Sequence, residues 1–90
     1  MDIDHATVIA LRALQHLVGD DTTRDRFMAA SGLDPSTIGA EASNPEFLAG
    51  VLDFLLADEA ILVAFCETAA LAPELPMQAR RALPGGREME

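Results

Sequence analysis

The stretch from Asn44 to Cys66, NPEFLAGVLDFLLADEAILVAFC, decides the fold of this chain. It holds three of the four Phe residues in two abutting patterns of helical periodicity. Asn44-Pro45 is a cap residue followed by a proline, which is typical of a helix start. Asp58 is placed to cap a second helix, with almost no loop in between. The stretch therefore predicts two core helices that meet at a sharp corner.

The first of these two helices is predicted to be the central helix of the fold. Its large apolar side chains cover an arc of roughly 200° on a helical wheel, which is too wide for one neighbouring helix. The residues of this arc are Phe47, Leu48, Val51, Leu52, Phe54, Leu55 and Leu56. The remaining arc, expected to face outward, contains Glu46, Ala49, Gly50, Asp53 and Ala57. We therefore expect this helix to contact several others.

Two more helices are predicted before this stretch. Asp4 is expected to cap a helix that runs to about Val18, with Gly19 as its stop. A second helix is expected to start at Asp20 or Asp21, because acidic residues in a first turn suit the helix dipole. Its end is predicted at Ser31-Gly32, a pair typical of a helix C-terminus.

Shorter or less regular elements complete the predicted fold. Asp34-Pro35 indicates a short third element, and Ala72-Pro73 indicates a last helix that continues to about Leu83. Pro76 would then occupy the fourth helical position, where it would distort the helix or delay its start. We predict one all-α domain of five or six short helices over residues 1–83, with a flexible tail at 84–90.

An internal repeat is suggested by a shift of 38 residues. The shift aligns Leu14 with Leu52, Leu17 with Leu55, Asp20 with Asp58, Phe27 with Phe65, Leu33 with Leu71 and Pro35 with Pro73. One interpretation is two pseudo-repeated three-helix units, at about 4–40 and 44–83, packed face to face. The alternative is that helical hairpins with proline starts simply look alike.

The composition argues against several classes of function. Fifteen acidic residues against six arginines give a formal net charge of −9, which should repel nucleic acids and anionic lipid surfaces. Acidic residues interrupt the densest apolar run, so we expect no membrane-spanning helix. The single Cys cannot form an internal disulfide or a Cys-based zinc site. With no basic region of a secretory signal at residues 1–8, a cytoplasmic location is expected.

Three segments together resemble a known family. They are LDPSTI at 33–38, NPEFLAGVLDFLLADEAILVAF at 44–65 and ARRALPGG at 79–86. The chain from Asp4 to Gly86 is similar to a family of small bacterial proteins, found chiefly in alphaproteobacteria, called domain of unknown function 3572. The resemblance implies a compact all-helical protein without an assigned role, and it supplies no catalytic or ligand residues. The segment Glu74-Leu75-Pro76 departs from the ordinary helix expected there, which implies a late start.

The two histidines are interpreted as surface residues. His5 and His16 lie on the same side of the first helix but about 16 Å apart along its axis. They cannot bind one metal ion, since zinc ligands lie about 2 Å from the metal. Together with Arg12 they make one edge of the helix less acidic, which is a possible partner contact.

The other candidate groups are weighed mainly as structural. Cys66 follows Phe65 two turns into an apolar helix, so a packed thiol is favoured over a nucleophile with a lowered pKa. Asp53 and Asp58 lie about 140° apart around a helix, which does not suit a catalytic pair of carboxylates.

The arginines near the C-terminal end form the one basic cluster of the sequence. Arg80, Arg81 and Arg87 could contact an acidic partner or a phosphate, or could simply pair with the chain's many carboxylates. No glycine-rich phosphate loop supports the phosphate reading, because Gly85-Gly86 follows a helix instead of opening one.

Two classes of function remain open. The first is a non-enzymatic protein–protein interaction or regulatory module, with a protein partner or a second copy of itself. The alternative is a small-ligand-binding protein or minor enzyme with a site at the junction of the two helical units. No cofactor or metal is predicted. A third class, nucleic-acid binding, would require all six arginines on one face, namely Arg12, Arg24, Arg26, Arg80, Arg81 and Arg87.

Overall fold

Six α-helices and one 3₁₀ turn build the fold in the computed structural model, which describes residues 1–32 and 34–84. The elements are α1 (Ile3–Val18), α2 (Asp21–Ser31), the 3₁₀ turn (Pro35–Thr37), α3 (Ile38–Glu41), α4 (Pro45–Ala57), α5 (Glu59–Ala69) and α6 (Glu74–Ala82). No strand occurs within these two described ranges. The prediction of an all-α bundle of five or six helices is confirmed.

Polar side chains at the helix starts explain most of these boundaries. The Asp20 carboxylate accepts a hydrogen bond of 2.9 Å from the backbone N–H of Thr23 at the start of α2. At the start of α4, the Asn44 side chain accepts one of 3.0 Å from Glu46. Such caps satisfy N–H groups that have no partner within the helix. The boundaries predicted at these residues are therefore confirmed.

One predicted helix start is wrong, and the last helix shows the late start that Pro76 indicated. Asp2, not Asp4, caps α1, where its carboxylate accepts a 2.8 Å hydrogen bond from the N–H of His5. The last helix begins after Pro73, so Pro76 is the third residue of α6 and not the fourth. A proline in the first turn removes an N–H that would have had no helical partner. α6 therefore contains Pro76 without losing a helical hydrogen bond.

The hydrophobic core lies where α1, α4 and α6 pack against one another. α1 presents Ala6, Ala10 and Ala13 to this core with no exposed surface, and such small side chains let helices approach closely. α4 also contacts α5, so the expectation that it touches several helices is confirmed. Ala49 was expected on its outward arc but is buried, only 2 % exposed.

The order of helices is compatible with the proposed repeat, although the repeat itself remains a prediction. α1 and α4 are long and pack together, and each is followed by an eleven-residue helix, α2 or α5. The third elements differ, because α3 has four residues and α6 has nine. Leu33 and the predicted tail from residue 85 onward lie outside the described residues.

Among the described residues, no single helix is long and apolar enough to cross a membrane. α5 and α6 would meet the length and composition requirement as a pair, but they are bent by 99° relative to each other.

The radius of gyration is 12.0 Å, and one globular unit of this length is expected to have about 12 Å.

Candidate functional site

An apolar groove lies between α2 and α4, at the junction of the two proposed helical units. Its volume is about 490 Å³. The lining residues are Phe27, Ala30, Ser31, Phe47, Gly50, Asp53 and Phe54. We call this feature the phenylalanine groove.

Three phenylalanines build the floor and walls of the groove. Phe27 is the buried residue of α2 and is 2 % exposed. Its ring meets those of Phe47 and Phe54 edge to face, with centroids 6.2 Å and 5.4 Å away, a geometry that aromatic pairs favour. Phe47 and Phe54 are two turns apart on one side of α4, and both remain half-buried. The two rings therefore stand as walls on either side of a gap.

Gly50 occupies the gap between the two phenylalanine walls. It lies one turn after Phe47 and one turn before Phe54, and a Cβ atom added there would meet no atom within 4 Å. The glycine is thus not required by close approach of another part of the chain. It leaves an open notch in the lining of the groove.

Asp53, one of the residues that line the phenylalanine groove, forms a salt bridge with α6. Arg80 on α6 donates to both carboxylate oxygens of Asp53, from Nε at 2.6 Å and from Nη2 at 3.1 Å. Bidentate pairs of this kind are among the stronger charged contacts. The Arg80 side chain is 15 % exposed and that of Asp53 is 57 % exposed. The carboxylate therefore still faces solvent at the groove, while its arginine is mostly covered.

The predicted basic cluster is divided by this contact. Arg80 is engaged with Asp53, and its Nη1 atom is buried without a partner among the described atoms. Arg81 is exposed beside Met1 and Gln78 in a separate shallow hollow. Arg87 lies outside the described residues. The alternative interpretation, that the arginines pair with the chain's own carboxylates, thus applies to Arg80.

The predicted contact strip on α1 is partly covered by α5. His5 is exposed, but the ring of His16 packs edge-on against Phe65 with centroids 5.6 Å apart. The Arg12 guanidinium donates to the backbone carbonyl of Ala69, at 3.4 Å. His16 is therefore half-buried, with α5 covering one side of its ring, and its interpretation as a surface histidine stays a prediction.

The arginines of α2 also contact acidic residues separately. Arg26 pairs with Asp58 at 2.8 Å, and Arg24 lies 3.6 Å from both Asp21 and Asp25. The hydrogen bond from Arg26, followed by those from the N–H groups of the α5 first turn, lowers the pKa of the Asp58 carboxyl. The positive charges of Arg24 and Arg26 are therefore balanced by different carboxylates at separate places in the fold.

Cys66 has the environment of a packed thiol. It is 6 % exposed, and burial, together with the negative charge of Glu74, raises the pKa of its thiol. A raised pKa works against the thiolate that a nucleophile needs. Asp53 lines the phenylalanine groove, Cys66 lines a different hollow on α5, and His16 lines neither. The three candidate groups are not brought together.

Within residues 1–32 and 34–84, no group of three or more His, Cys, Asp or Glu side chains is arranged to hold a metal ion.

The sequence interpretation placed Gly50 and Asp53 correctly on the outward side of α4, but it missed the groove. The signal was present as Phe47, Gly50 and Phe54 at helical spacing, a small residue between two large ones. Recognising it also required Phe27 from another helix.

The comparisons with known proteins concern the whole chain. The family model described as "Protein of unknown function (DUF3572)" matches residues 3–86. No curated protein and no solved structure matches the chain. Because the family match covers nearly all 90 residues, the resemblance seen in the sequence is confirmed, and the chain belongs to the DUF3572 family of proteins of unknown function.

Proposed function

We propose that this chain is a non-enzymatic interaction module whose phenylalanine groove receives an apolar anchor side chain from a helix of another protein. The observation that carries the proposal is the open notch at Gly50 between two half-exposed phenylalanines. Aromatic surface left in contact with water is unfavourable, and covering it is worth about 25 cal/mol per Å². Pockets lined by aromatic residues are typical places for the anchor residues that dominate binding energy.

The charge at the groove suggests the character of the partner segment. Asp53 keeps more than half of its side chain exposed although it is paired with Arg80. A lysine or arginine beside the apolar anchor would lie next to this carboxylate, which lines the groove. The net charge of −9 adds long-range attraction for such a segment. We therefore expect an amphipathic partner helix with an aromatic or aliphatic anchor next to a basic residue.

Binding of a small apolar molecule is the second candidate function. The groove volume of about 490 Å³ falls within the range of ordinary ligand sites, about 300–1,000 Å³. Its position between α2 and α4 matches the predicted junction of the two helical units. However, Asp53 and Ser31 supply the polar side chains of its lining, and a specific ligand site usually has several convergent polar groups. The partner helix is therefore the better-supported occupant.

Gly50→Leu provides a direct test, because the Cβ atom that it adds would meet open space in the groove, and we expect the fold to remain intact. The probe is a helical peptide with one Phe anchor and a neighbouring Lys, followed by backbone amide NMR shifts. We expect shifts around Phe27, Phe47 and Phe54 with the original chain and at least about tenfold weaker binding to the variant, as for loss of one anchor.

Gly39→Leu is the matched control, since Gly39 on α3 also has open space around it but does not line the groove. The control variant should bind the peptide like the original chain. Saturable binding of indole in place of the peptide, blocked by Gly50→Leu, would favour the small-ligand function. A dimer of the pure protein that dissociates in Gly50→Leu would assign the groove to a second copy. Binding of neither probe would contradict both functions.

A further inference from the structure

We propose that the outer face of α5 is a second docking surface, which binds a basic amphipathic helix of another protein. α5 follows α4 directly at Asp58, and its outer face shares no residue with the phenylalanine groove. The proposal is therefore independent of the function assigned to that groove.

The outer face of α5 is a continuous strip along the helix. It consists of Glu59, Leu62, Val63, Cys66, Glu67 and Ala70, which line one hollow of about 520 Å³ together with Leu71 and Pro73. At about 100° per residue these positions fall within an arc of roughly 140° on a helical wheel, so they lie on one side of the helix. Eleven residues give α5 a length of about 16 Å, which matches about three turns of a docked helix.

Apolar groups dominate this strip, in which Cys66 is buried while Val63 and the two glutamates are exposed. Val63 is 48 % exposed, and Leu62 and Leu71 are only half-buried. The neighbouring hollow on the same helix adds Ala60 and Ala64. α5 packs on α4 and more weakly on α1, so the rest of its apolar surface is left to water. A solvent-facing helix side is ordinarily polar.

Two carboxylates of the strip lie on either side of Leu62 and Val63 along the helix. Glu59 and Glu67 line both hollows and are the charged residues in either lining. Neither of them forms an ion pair with a described arginine. Glu74, at the start of α6, also acts on Cys66 with its negative charge. An apolar strip between unpaired carboxylates is complementary to a helix with an apolar face and basic flanks.

The same charges argue against a second copy of this chain as the occupant. A two-fold axis through Val63 would pair two α5 helices in antiparallel fashion. Because Glu59 and Glu67 are each four residues from Val63, such a dimer would place Glu59 of one copy opposite Glu67 of the other. Like charges at an interface are unfavourable. The electrostatics of the strip therefore favour a basic partner over self-association.

The experiment uses two synthetic helical peptides about four turns long, identical in their leucine face and labelled with a fluorophore. One carries lysines along both flanks of that face, and the other carries glutamates at the same positions. Binding to the full chain is measured by fluorescence anisotropy at low and high salt. We expect the lysine peptide to bind at least about tenfold more tightly, with an affinity that falls as salt screens the charges.

Two pairs of variants locate the binding site. Glu59→Gln with Glu67→Gln should weaken binding by about fivefold, at the level of two surface ion pairs. Asp4→Asn with Glu46→Gln changes the net charge equally elsewhere and should have little effect. Val63→Asn should weaken binding by about tenfold by removing central apolar contact, whereas Val8→Asn, at an equally exposed valine of α1, should not.

Several outcomes would overturn the proposal. Equal affinity for the lysine and glutamate peptides, or no binding of either peptide, would contradict the proposal of a basic partner helix. Loss of binding in Gly50→Leu, with no effect of Val63→Asn, would assign the peptide to the phenylalanine groove. A dimer of the pure protein that dissociates in Val63→Asn would assign the strip to a second copy. Binding to anionic lipid vesicles that Val63→Asn abolishes would assign it to a membrane. Circular dichroism of each variant establishes that it remains folded.

Discussion

At the scale of single residues, Asp58 joins three helices through one position. Its backbone N–H donates to the carbonyl of Leu55 at the end of α4. Its carboxylate accepts hydrogen bonds of 3.1 Å and 3.3 Å from the N–H groups of Ala60 and Ile61 at the start of α5. The same carboxylate pairs with Arg26 of α2. A single residue thus makes the sharp corner and holds α2 to it.

Asp58→Asn is expected to reveal a pH-dependent part of this stability. The pKa of the Asp58 carboxyl is lowered in the folded protein. The ionised carboxylate therefore stabilises the fold at pH values above about 3.9, the ordinary pKa of an aspartate. This contribution is lost as the pH falls through the lowered pKa. Since asparagine still caps a helix well, the variant should be less stable at pH 7 mainly through the lost charge.

Denaturant unfolding at pH 7 and at strongly acidic pH measures this effect. The difference in unfolding free energy between the original chain and Asp58→Asn should be present at pH 7 and should vanish or reverse in acid. A difference of the same size and sign at both pH values would contradict the role of the ionised carboxylate. The hydrogen bonds that the Asp20 carboxylate accepts from Thr23 lower its pKa, so overall stability should also fall in acid.

Cys66 is expected to react slowly with thiol reagents in the folded protein. Its side chain is buried and its pKa is raised by that burial and by Glu74, so both access and the thiolate fraction are reduced. The rate of reaction with a disulfide reagent should be at least about tenfold lower than for the unfolded chain. The same measurement in denaturant is the control. A folded-state rate equal to the unfolded rate would show an accessible thiol.

At the scale of elements, the ends of α2 and α5 use the same backbone geometry with different residues. Gly32 ends α2 in the left-handed region with φ 72°, and Ala70 ends α5 there with φ 57°. The N–H of Ala70 and that of Leu71 both donate to the carbonyl of Cys66. Glycine adopts this region without penalty, whereas an alanine Cβ makes it costly.

Ala70→Gly is therefore expected to stabilise the protein by about 1 kcal/mol, reduced somewhat by the greater freedom of glycine in the unfolded chain. Ala29→Gly, at an exposed helical position of α2, is the control and should destabilise by about 1 kcal/mol. Urea unfolding of both variants measures the two changes. Destabilisation by both substitutions would mean that the conformation of Ala70 carries no strain.

The elements show which local signals are sufficient for prediction. Asn44, Asp20 and Asp58 were correct as caps because each is followed by a helical pattern and needs contacts only two or three residues away. Asp2 and Asp4 are both suitable caps for α1, and their spacing alone does not distinguish them. The start of α6 was harder to predict because of Pro76. A proline in the first turn of a helix removes no helical hydrogen bond, so it is tolerated there.

At the scale of the whole molecule, small residues determine how closely α1 approaches its neighbours. Ala6, Ala10 and Ala13 have no exposed surface, and α1 has its most extensive contacts with α6 and α4. Larger side chains at these positions would force the helices apart, since protein interiors are tightly packed. The wide arc of α4 suggested a single central helix, whereas the structure gives α1 an equal share of the core.

Ala10→Leu should therefore destabilise the protein by about 1–3 kcal/mol through overpacking. Ala29→Leu introduces the same side chain at an exposed position of α2 and should change the stability by less than about 0.5 kcal/mol. Thermal unfolding followed by circular dichroism compares the two variants. Equal stability of both would mean that α1 has room at Ala10 and that its alanines do not determine the packing.

The candidate site could be predicted only in fragments. The outward positions of Gly50 and Asp53 followed from the helical wheel. The groove itself required Phe27, which is twenty residues before Phe47 and whose ring nevertheless meets those of Phe47 and Phe54. The partner of Asp53 was likewise not identifiable, because Arg80 is 27 residues away along the chain. Contacts of this range depend on how helices are placed relative to one another.

The sequence by itself determined that Asn44–Cys66 forms two capped helices, that the protein is all-α, and that its net charge is strongly negative. Helix caps, turns and hydrophobic periodicity depend on residues that are close together in the chain, so they can be predicted from the local sequence. Only the tertiary structure decided which apolar residues are covered. It buried Ala49, left Phe47, Phe54 and Val63 partly exposed, and paired Arg80 with Asp53. The reason is physical: burial depends on which other helix lies alongside, and local sequence does not specify that neighbour.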